Sequence, residues 1–501
     1  MRLHLHFVVV YSVLVLIVAG YASCAEQHSA GQNRTAPEKP GSSLLGLIRD
    51  RAELKGADLS SMELGGMSLN QSDLRDADLA GSGLADCHLI SAWLAGSSLH
   101  GANLAGANLS GADLTGADLT GTNLSHANLA RSAMIGSNLT SAILIGADLS
   151  GAEAKRAKFA GSHISGANLM AANMTGADFS YADLSGSEAR RCRLREANLF
   201  RANLSRTNPI SASFIDANLS EADLSDANLE DARMYRADFT GARLNNANLI
   251  GASLNNSDLR GADLSRARIY WVNMMGSDVR NAYFRSSNIL GAKMCWANMS
   301  GCDFVCARIS RCELYGADLS GADLRESDLT RSYLLGANLN RARLDGANLA
   351  YADFSDANMR QASLSNSQVD YTILNRADLN GADLSQARIL GVSIIGANFS
   401  SARFDGGILQ GPEMIQDTDI GKSSLRNARL NLILLKNVSF READFSNANL
   451  TMVMMLGVDF SGANLRGIKC DQFTLQNLAG SNLQGARMDE DLRAKLAGMR
   501  T

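Results

Sequence analysis

The chain has 501 residues, of which 47 are Lys or Arg and 51 are Asp or Glu, so its formal net charge is −4. This balance excludes the strongly basic surface that nucleic-acid binding needs, and 4 Pro beside 45 Gly exclude collagen-like and Pro-rich disordered chains. Hydrophobic residues make up 46% of the chain and aromatic residues only 6%, which is still enough to form a buried core.

The first predicted element is a secretory signal peptide over residues 1–25. Arg2 precedes an apolar run over residues 7–19, and small residues follow around Cys24. A positively charged N-terminal region, a short apolar segment and small residues at the cleavage site are typical of a cleaved export signal. Two alternatives remain open: the apolar run is retained as an anchor, although it is shorter than the ~20 residues of a spanning helix, or Cys24 is lipidated. We expect a membrane partner only in those two cases.

The next segments connect this signal to the rest of the chain. Residues 26–41 are polar and contain Gly, Pro and Ser, which predicts a flexible linker. Residues 42–52 place Leu44, Leu45 and Ile48 at helical spacing. We therefore expect this segment to be an N-terminal cap for the repetitive part of the chain.

From Leu54 the chain repeats every five residues. Stepping by five from Leu54 to Met414 gives (414 − 54)/5 + 1 = 73 positions, and 70 of them are Leu, Met, Phe, Ile or Val. The residue two positions earlier is usually Ala, and Asn or Asp most often stands between them. A period of five fits neither a helix nor simple strand alternation. It fits a short extended piece with two inward side chains, followed by a turn, that must stack on copies of itself.

This pattern resembles a known family. Residues 102–106 read Ala-Asn-Leu-Ala-Gly, and similar units run from residue 52 to residue 488. They are similar to the A-[DN]-L-x-x signature of the pentapeptide-repeat family. The resemblance implies an all-β fold, a right-handed four-sided parallel β-helix in which each unit makes one side and four units make a coil.

The sequence offers its own test of four sides, because a large residue on one side should recur at every fourth unit. Six of the eight Met at the large position recur at intervals of four units or multiples of four, as do five of the eight Ile or Val. The first group is Met134, Met174, Met234, Met274, Met294 and Met414; the second is Ile269, Ile289, Ile309, Val369 and Ile389. We also expect Phe159 to stack on Phe179 and Phe284 on Phe304.

The C-terminal part departs from the repeat. The register is unbroken over residues 53–410, slips by one across a predicted loop or bulged coil at 411–424, and continues over 425–488. In residues 489–501, Asp489 can cap a helix with Leu492 and Leu496 on its apolar stripe. Such a helix would cover the end of the stack.

Nothing in the sequence indicates catalysis or a cofactor. His88, His100, His126 and His163 lie at outward repeat positions, and none pairs with a Cys or an acid at metal-ligand spacing. Four Cys occupy the small inward position of the repeat, which predicts buried side chains: Cys87, Cys192, Cys302 and Cys312. We expect no enzyme activity, no cofactor and no metal.

Two candidate interfaces and one charged stretch remain. One interface is an apolar patch of Leu432, Leu434, Met452 and Met454, which stand one predicted coil apart at positions that are otherwise polar. A second copy or a partner protein could cover this patch, or the 411–424 loop or the C-terminal helix could fold back over it. The other is an aromatic set that either marks a binding patch or covers a local packing defect: Tyr270, Trp271, Tyr283 and Trp296. The Arg-rich stretch 190–206 is either an anion or partner patch or a solvated wall, and we expect Glu221 beside Arg201 and Asp226 beside Arg206 to neutralise it in part.

These observations favour an exported, non-enzymatic solenoid that acts as a protein-interaction scaffold or spacer. Its partner would be an unidentified protein or a second copy, and not a nucleic acid. The alternative is a DNA mimic that binds topoisomerases, a role that some members of the resembled family have. A net charge of −4 produces only a weak acidic field, whereas such a role needs a strongly acidic surface.

Overall fold

The computed structural model describes residues 48–411 and 414–499. The predicted signal peptide, the predicted linker and residues 42–47 of the predicted cap lie outside the described residues. Ile48, the first described residue, is buried.

Each five-residue unit forms a short extended piece and a tight turn. In the unit at 102–106, Ala102 and Leu104 are buried and Asn103 between them is exposed. The N–H of Ala107 donates to the carbonyl of Leu104 at 3.0 Å, which closes a four-residue turn. Gly106 has φ +67°, as the third residue of a type II turn requires.

Successive coils are joined by parallel backbone hydrogen bonds. Leu104 N–H donates to Asn123 O at 2.7 Å, and Asn123 N–H donates back to Ala102 O at 3.0 Å. Seventeen consecutive pairings, from Glu53–Asp73 to Ile373–Ser393, each join equivalent residues that are four units apart. Four units therefore make one coil, and the solenoid has four sides.

We name the sides by the inward residue of one coil. Side A contains Leu104, side B Leu109, side C Leu114 and side D Leu119, and all four are fully buried. Gly111 lies at the corner between sides B and C, and Gly116 lies at the corner between sides C and D. Side C with its two corners comprises the residues from Gly111 to Gly116. The same names apply to the equivalent residues of every coil.

The core is a stack of like residues. The predicted ring pairs are confirmed: the centroids of Phe159 and Phe179 are 4.6 Å apart, and those of Phe284 and Phe304 are 4.7 Å apart. Small inward positions also accept hydroxyl groups, because Ser82 Oγ donates to Leu79 O at 2.7 Å. The four Cys at this position are buried, as predicted: Cys87, Cys192, Cys302 and Cys312.

Most units are single bridges, and longer strands occur on two sides in the C-terminal half. Side B carries a three-stranded parallel sheet and a five-stranded one, and side C carries a four-stranded one. The side B strands are β1 Arg268–Tyr270, β2 Asn288–Leu290, β3 Arg308–Ser310, β4 Arg388–Leu390, β6 Ile408–Gln410, β8 Arg429–Asn431, β10 Asn449–Thr451 and β12 Lys469–Cys470. The side C strands are β5 Ile394–Ile395, β7 Met414–Gln416, β9 Leu434–Lys436 and β11 Met454–Leu456.

The predicted loop at 411–424 is wrong beyond its first residues. Ile394 pairs with Ile415 rather than with Met414, so one residue is inserted between Gly411 and Met414. The new register begins at Ile415, which is buried, whereas Met414 is not an inward residue as the five-residue count predicted. The alternative of a bulged coil fits this geometry, since one extra residue is absorbed at the B–C corner.

The predicted continuation of the β-helix to residue 488 is interrupted. Helix α1, Gln472–Ala479, replaces a strand on side C of the last coil. Asp471 caps this helix by accepting a hydrogen bond from Thr474 N at 2.7 Å. Asp459 bridges to Asn482, three positions later than the spacing of a normal coil would place its partner, and this extra length accommodates the helix.

Helix α1 ends the side C sheet with side-chain acceptors. Thr474 Oγ1 accepts from Val453 N at 3.0 Å, and Asn477 Oδ1 accepts from Met455 N at 3.1 Å. The edge of strand β11 thus keeps its hydrogen bonds without another strand.

Helix α2, Glu490–Ala497, packs on α1 and buries Leu492 and Leu496. Its N-cap residue Asp489 makes no side-chain capping bond, and instead accepts from Gly467 N at 2.6 Å. The predicted fold class, a four-sided parallel β-helix, is confirmed. Among the helices that the structure describes, none is long and apolar enough to cross a membrane.

Candidate interaction surface

The four residues of the predicted patch lie together on side C and its B–C corner. Leu434 and Met454 are register partners in adjacent strands. Leu432 and Met452 occupy the corner one coil apart, with φ of 58° and 53°. Leu434 is half-buried, while the other three are 42–48% exposed.

No described segment folds back over this patch. The described residues 414–424 themselves form part of the solenoid, and α2 packs on α1. Leu456 lies at the C–D corner of the coil that contains Met454. Its side chain is 50% exposed and extends the patch. Among residues 48–411 and 414–499, the patch therefore faces outward.

The predicted aromatic set does not form one cluster. Trp271 lies at the B–C corner and Trp296 at the C–D corner of the next coil, whereas Tyr283 lies on side A, opposite side C. Only Tyr270 and Trp271 are in ring contact, with centroids 6.1 Å apart. The prediction of one aromatic patch is wrong, because neighbours in sequence are distributed around the four sides of a coil.

Each of these two Trp side chains packs on a glycine of the next coil. A Cβ atom at Gly291 would stand 2.9 Å from Cδ1 of Trp271, and one at Gly316 would stand 2.9 Å from Cδ1 of Trp296. The indoles therefore cover gaps at the corners, although they remain 64% and 66% exposed.

A larger apolar surface includes the predicted patch. Between residues 331 and 457, side C and its two corners carry ten large apolar side chains that are 36–54% exposed. We call this surface the apolar ridge: Tyr333, Leu335, Tyr351, Tyr371, Ile373, Ile395, Leu432, Met452, Met454 and Leu456.

Sequence reasoning missed most of the ridge. Tyr351 and Tyr371 stack with centroids 5.1 Å apart, and Arg331 lies 5.6 Å from the centroid of the Tyr351 ring. The ridge residues are related by a spacing of one coil. The sequence prediction used this spacing for the inward positions and for only one group of outward residues. When the outward residues are aligned at a spacing of four units, with a shift of one residue after Gly411, the ridge residues fall on the same side.

Charges on the ridge are few, and two of them form an ion pair. Among its described residues, side C between 331 and 457 has three cations and three anions: Arg331, Arg376, Lys436, Asp353, Asp356 and Asp417. The Arg376 guanidinium binds both carboxylate oxygens of Asp356, at 2.6 and 2.5 Å, and lowers the pKa of that carboxyl. Hydrogen bonds from Asn437 and Gln416 lower the pKa of Asp417. The charges on the described residues of this surface therefore cancel in number.

Two observations concern metal binding and thiol reactivity in the described residues. They contain no cluster of three His, Cys, Asp or Glu side chains that could hold a metal ion. Burial raises the pKa of the Cys192, Cys302 and Cys312 thiols to about 12, so these groups are not nucleophilic at neutral pH.

The Arg-rich stretch is only partly neutralised as predicted. Arg201 Nε pairs with Glu221 at 2.6 Å, which confirms the first predicted pair. Asp226 stands one coil from Arg206 at the same corner, as predicted, but the two side chains form no ion pair in the described structure.

Comparison with known proteins identifies the repeat. A model of pentapeptide repeats (8 copies) matches fourteen segments that together span most of residues 52–467: 52–82, 84–121, 117–153, 155–188, 177–208, 192–231, 212–249, 242–281, 265–301, 280–314, 296–331, 327–366, 372–411 and 428–467. A comparison with curated protein sequences finds no match.

Several solved structures are similar to parts of the chain. HetL, a pentapeptide repeat protein involved in heterocyst differentiation regulation from the cyanobacterium Nostoc sp. strain PCC 7120, is 32% identical, with 42% of this chain and 89% of HetL covered and a TM-score of 0.25. A pentapeptide repeat protein from the thylakoid lumen of Arabidopsis thaliana is 32% identical over 21% of this chain and 70% of its own, with a TM-score of 0.13. The fluoroquinolone resistance protein QnrB1 is 19% identical over 48% and 95%, with a TM-score of 0.19.

Proposed function

Because the chain belongs to the pentapeptide-repeat family, we propose that it is an exported, non-enzymatic scaffold whose solenoid presents the apolar ridge to another protein surface. The ridge is the observation that carries this proposal. Monomeric soluble proteins seldom expose apolar patches larger than a few hundred Å² unless the patch binds something.

The core supports this role. Backbone hydrogen bonds between coils hold the outward residues of side C in register, as Met454 is held beside Leu434. A rigid array of side chains loses little conformational entropy on binding. The solenoid thus supplies a preorganised surface.

The alternative of a DNA mimic has weaker support. Many of the acidic side chains pair with Arg, as Asp216 does with Arg236 at 2.6 Å and Asp223 with Arg243 at 2.6 Å. Such pairing removes the continuous acidic field that a DNA mimic would present.

An association assay with matched double variants tests the scaffold proposal. Leu434→Glu with Met454→Glu places two charges on the ridge, and Arg429→Glu with Asn449→Glu places them on side B of the same two coils, where these residues are also register partners. We expect the ridge variant alone to lose its protein partners in an affinity capture from the native compartment and to lose self-association in sedimentation. Equal behaviour of both variants would contradict the proposal.

Export is a separate part of the proposal and has its own measurement. The apolar run at 7–19 and the small residues at 22–25 support cleavage after residue 25. N-terminal sequencing of the protein isolated from its native compartment should then begin at Glu26. Recovery of a chain that retains residues 1–25 would replace cleavage with an anchored form.

A further inference from the structure

We propose that the apolar ridge is a self-association surface on which a second copy of the chain packs antiparallel. The two copies are related by a two-fold axis that lies between the two side C faces and runs along the strand direction at the coil of Ile395 and Gly396. This inference rests on the proposed scaffold function and names the occupant of the ridge. Three properties of the ridge support it: its sheet spacing, its size and the order of its charges.

The sheet spacing favours another solenoid of the same kind. Side C is a ladder of parallel strands with direct register partners, such as Met414 with Leu434 and Leu434 with Met454. Strands in such a ladder lie about 4.8 Å apart, and sheet faces pack about 10 Å apart with interdigitating side chains. A second copy has the same strand spacing and can match it over several coils.

The size of the ridge is close to the need of a dimer. An aromatic side chain covers about 150–250 Å² when buried and an aliphatic one covers less, so ten half-exposed side chains offer roughly 700 Å², compared with about 800 Å² per partner in a standard interface. The four-residue patch alone would supply less than half of this area. The whole ridge is therefore the relevant surface.

The order of charges along the C–D corner identifies the arrangement. Four successive charged residues alternate in sign and stand on both sides of Gly396: Asp356, Arg376, Asp417 and Lys436. A two-fold axis at the Gly396 coil reverses this order in the second copy. Asp356 then faces the second copy's Lys436, and Arg376 faces its Asp417.

The same axis matches the apolar residues. Each coil meets the coil of the second copy that is equally distant from the axis on its other side. The coil of Met454 and Leu456 therefore faces the coil of Tyr333 and Leu335. Most large residues then meet another large side chain or a glycine, as packing requires, and the half-buried Leu434 meets Asp353 of the second copy. A contact of this kind is isologous, so every pair occurs twice. The expected pairs are Leu456 with Leu335, Met454 with Tyr333, Met452 with the aliphatic part of Arg331, Leu432 with Tyr351, and Tyr371 with Gly411.

A charge exchange tests the arrangement. Lys436→Glu alone should bring two acidic residues together at each of two symmetric places, and Asp356→Lys alone should do the same with bases. We expect each single variant to weaken self-association of the full chain at least about 10-fold in sedimentation equilibrium, and the double variant to restore it. Lys422→Glu, at the exposed corner between sides D and A, is the matched control and should change nothing.

The outcomes separate this inference from the proposed function. A monomeric wild-type chain, a dimer insensitive to Lys436→Glu, or a double variant that fails to recover would overturn the antiparallel dimer. Unfolding curves of all four variants should stay close to that of the wild type, because these side chains are exposed. If the chain is monomeric and Leu434→Glu with Met454→Glu still abolishes partner capture, the scaffold function stands and the ridge belongs to another protein.

Discussion

Side C has two different surfaces on the same core. Over coils 151–256 its outward positions carry eleven charged residues and no exposed large apolar side chain among those described: Glu153, Lys155, Arg156, Arg191, Arg193, Arg195, Glu196, Asp216, Asp231, Arg233 and Arg236. Over coils 331–457 its described residues include six charged residues and the ten exposed apolar residues of the ridge. The described inward residues of both regions are buried; those over 151–256 are mostly Ala, Leu, Met and Phe, whereas those over 331–457 also include Val, Ile, Ser and Thr.

The difference shows how the repeat separates folding from recognition. Inward positions pack on the coils above and below, so their size and polarity are restricted. Outward positions contact few neighbours, and a charged or an apolar residue fits equally well. A change of surface along one side therefore reports a change of role rather than a change of fold.

The largest expected effect tests whether the core is the same in both regions. Leu254 and Leu334 are both fully buried on side C. Replacing either with Asp removes a packed side chain, which costs about 2–5 kcal/mol, and buries an unpaired charge in addition. We expect similar losses in urea unfolding, with protease cleavage near the substituted coil. Tolerance of Asp at one position but not at the other would show that the two cores differ.

The next effect is specific to the end that carries the ridge. Thr474→Val in helix α1 keeps the volume but removes the acceptor of Val453 N–H, which is bonded at 3.0 Å. A buried N–H without a partner costs about 1–3 kcal/mol. Thermal unfolding should report this loss, and hydrogen exchange should be faster at Val453. The exposed helix residue Gln476 supplies the control, since Gln476→Ala should leave both measurements near the wild type.

A smaller effect distinguishes two corners of side C, one that is open and one that an indole covers. Gly116 and Gly291 both have positive φ, so Ala at either costs about 1 kcal/mol. A Cβ at Gly116 meets nothing within 4 Å, whereas one at Gly291 meets the Trp271 indole at 2.9 Å. We expect Gly291→Ala to lose more stability than Gly116→Ala and to alter tryptophan fluorescence. Equal stability losses and unchanged fluorescence would mean that the indole moves away without cost.

The smallest effect is the acid response of paired carboxylates. The Arg75 guanidinium, 2.6 Å from the Asp73 carboxylate, lowers the pKa of Asp73, whose side chain is only 6% exposed. A carboxyl with a lowered pKa in the folded state stabilises that state above the ordinary pKa of about 4, and this contribution disappears as pH falls through the folded-state pKa.

Asp73→Asn should therefore reduce stability by about 1 kcal/mol or less at pH 7 and have no effect at low pH. On the ridge, Asp356 is 42% exposed, and Asp356→Asn should show a weaker dependence on pH. Unfolding measured across pH for both variants checks the order. A larger pH dependence for Asp356→Asn would contradict the importance of burial at Asp73.

The linear sequence was sufficient for the architecture and for the core. A period of five with Ala and Leu inward, and with Met and Ile recurring at every fourth unit, predicts four sides because each position contacts only its equivalents one coil away. The stacked pairs Phe159–Phe179 and Phe284–Phe304 were predictable from that periodicity alone. The Leu434 and Met454 neighbourhood was also predictable, because both residues interrupt a polar outward pattern.

Tertiary structure decided where the pattern is broken and which surfaces are continuous. Whether the extra residue near Gly411 forms a loop or a bulge depends on hydrogen bonds to the coils on both sides, and those continue through Ile415. Likewise, Leu475 and Leu478 fit a coil by spacing, yet the side chains of Thr474 and Asn477 bond the edge of β11 only from a helix. The ridge was hidden for the same reason, because residues far apart in sequence become neighbours only when stacking of the coils fixes which side each of them faces.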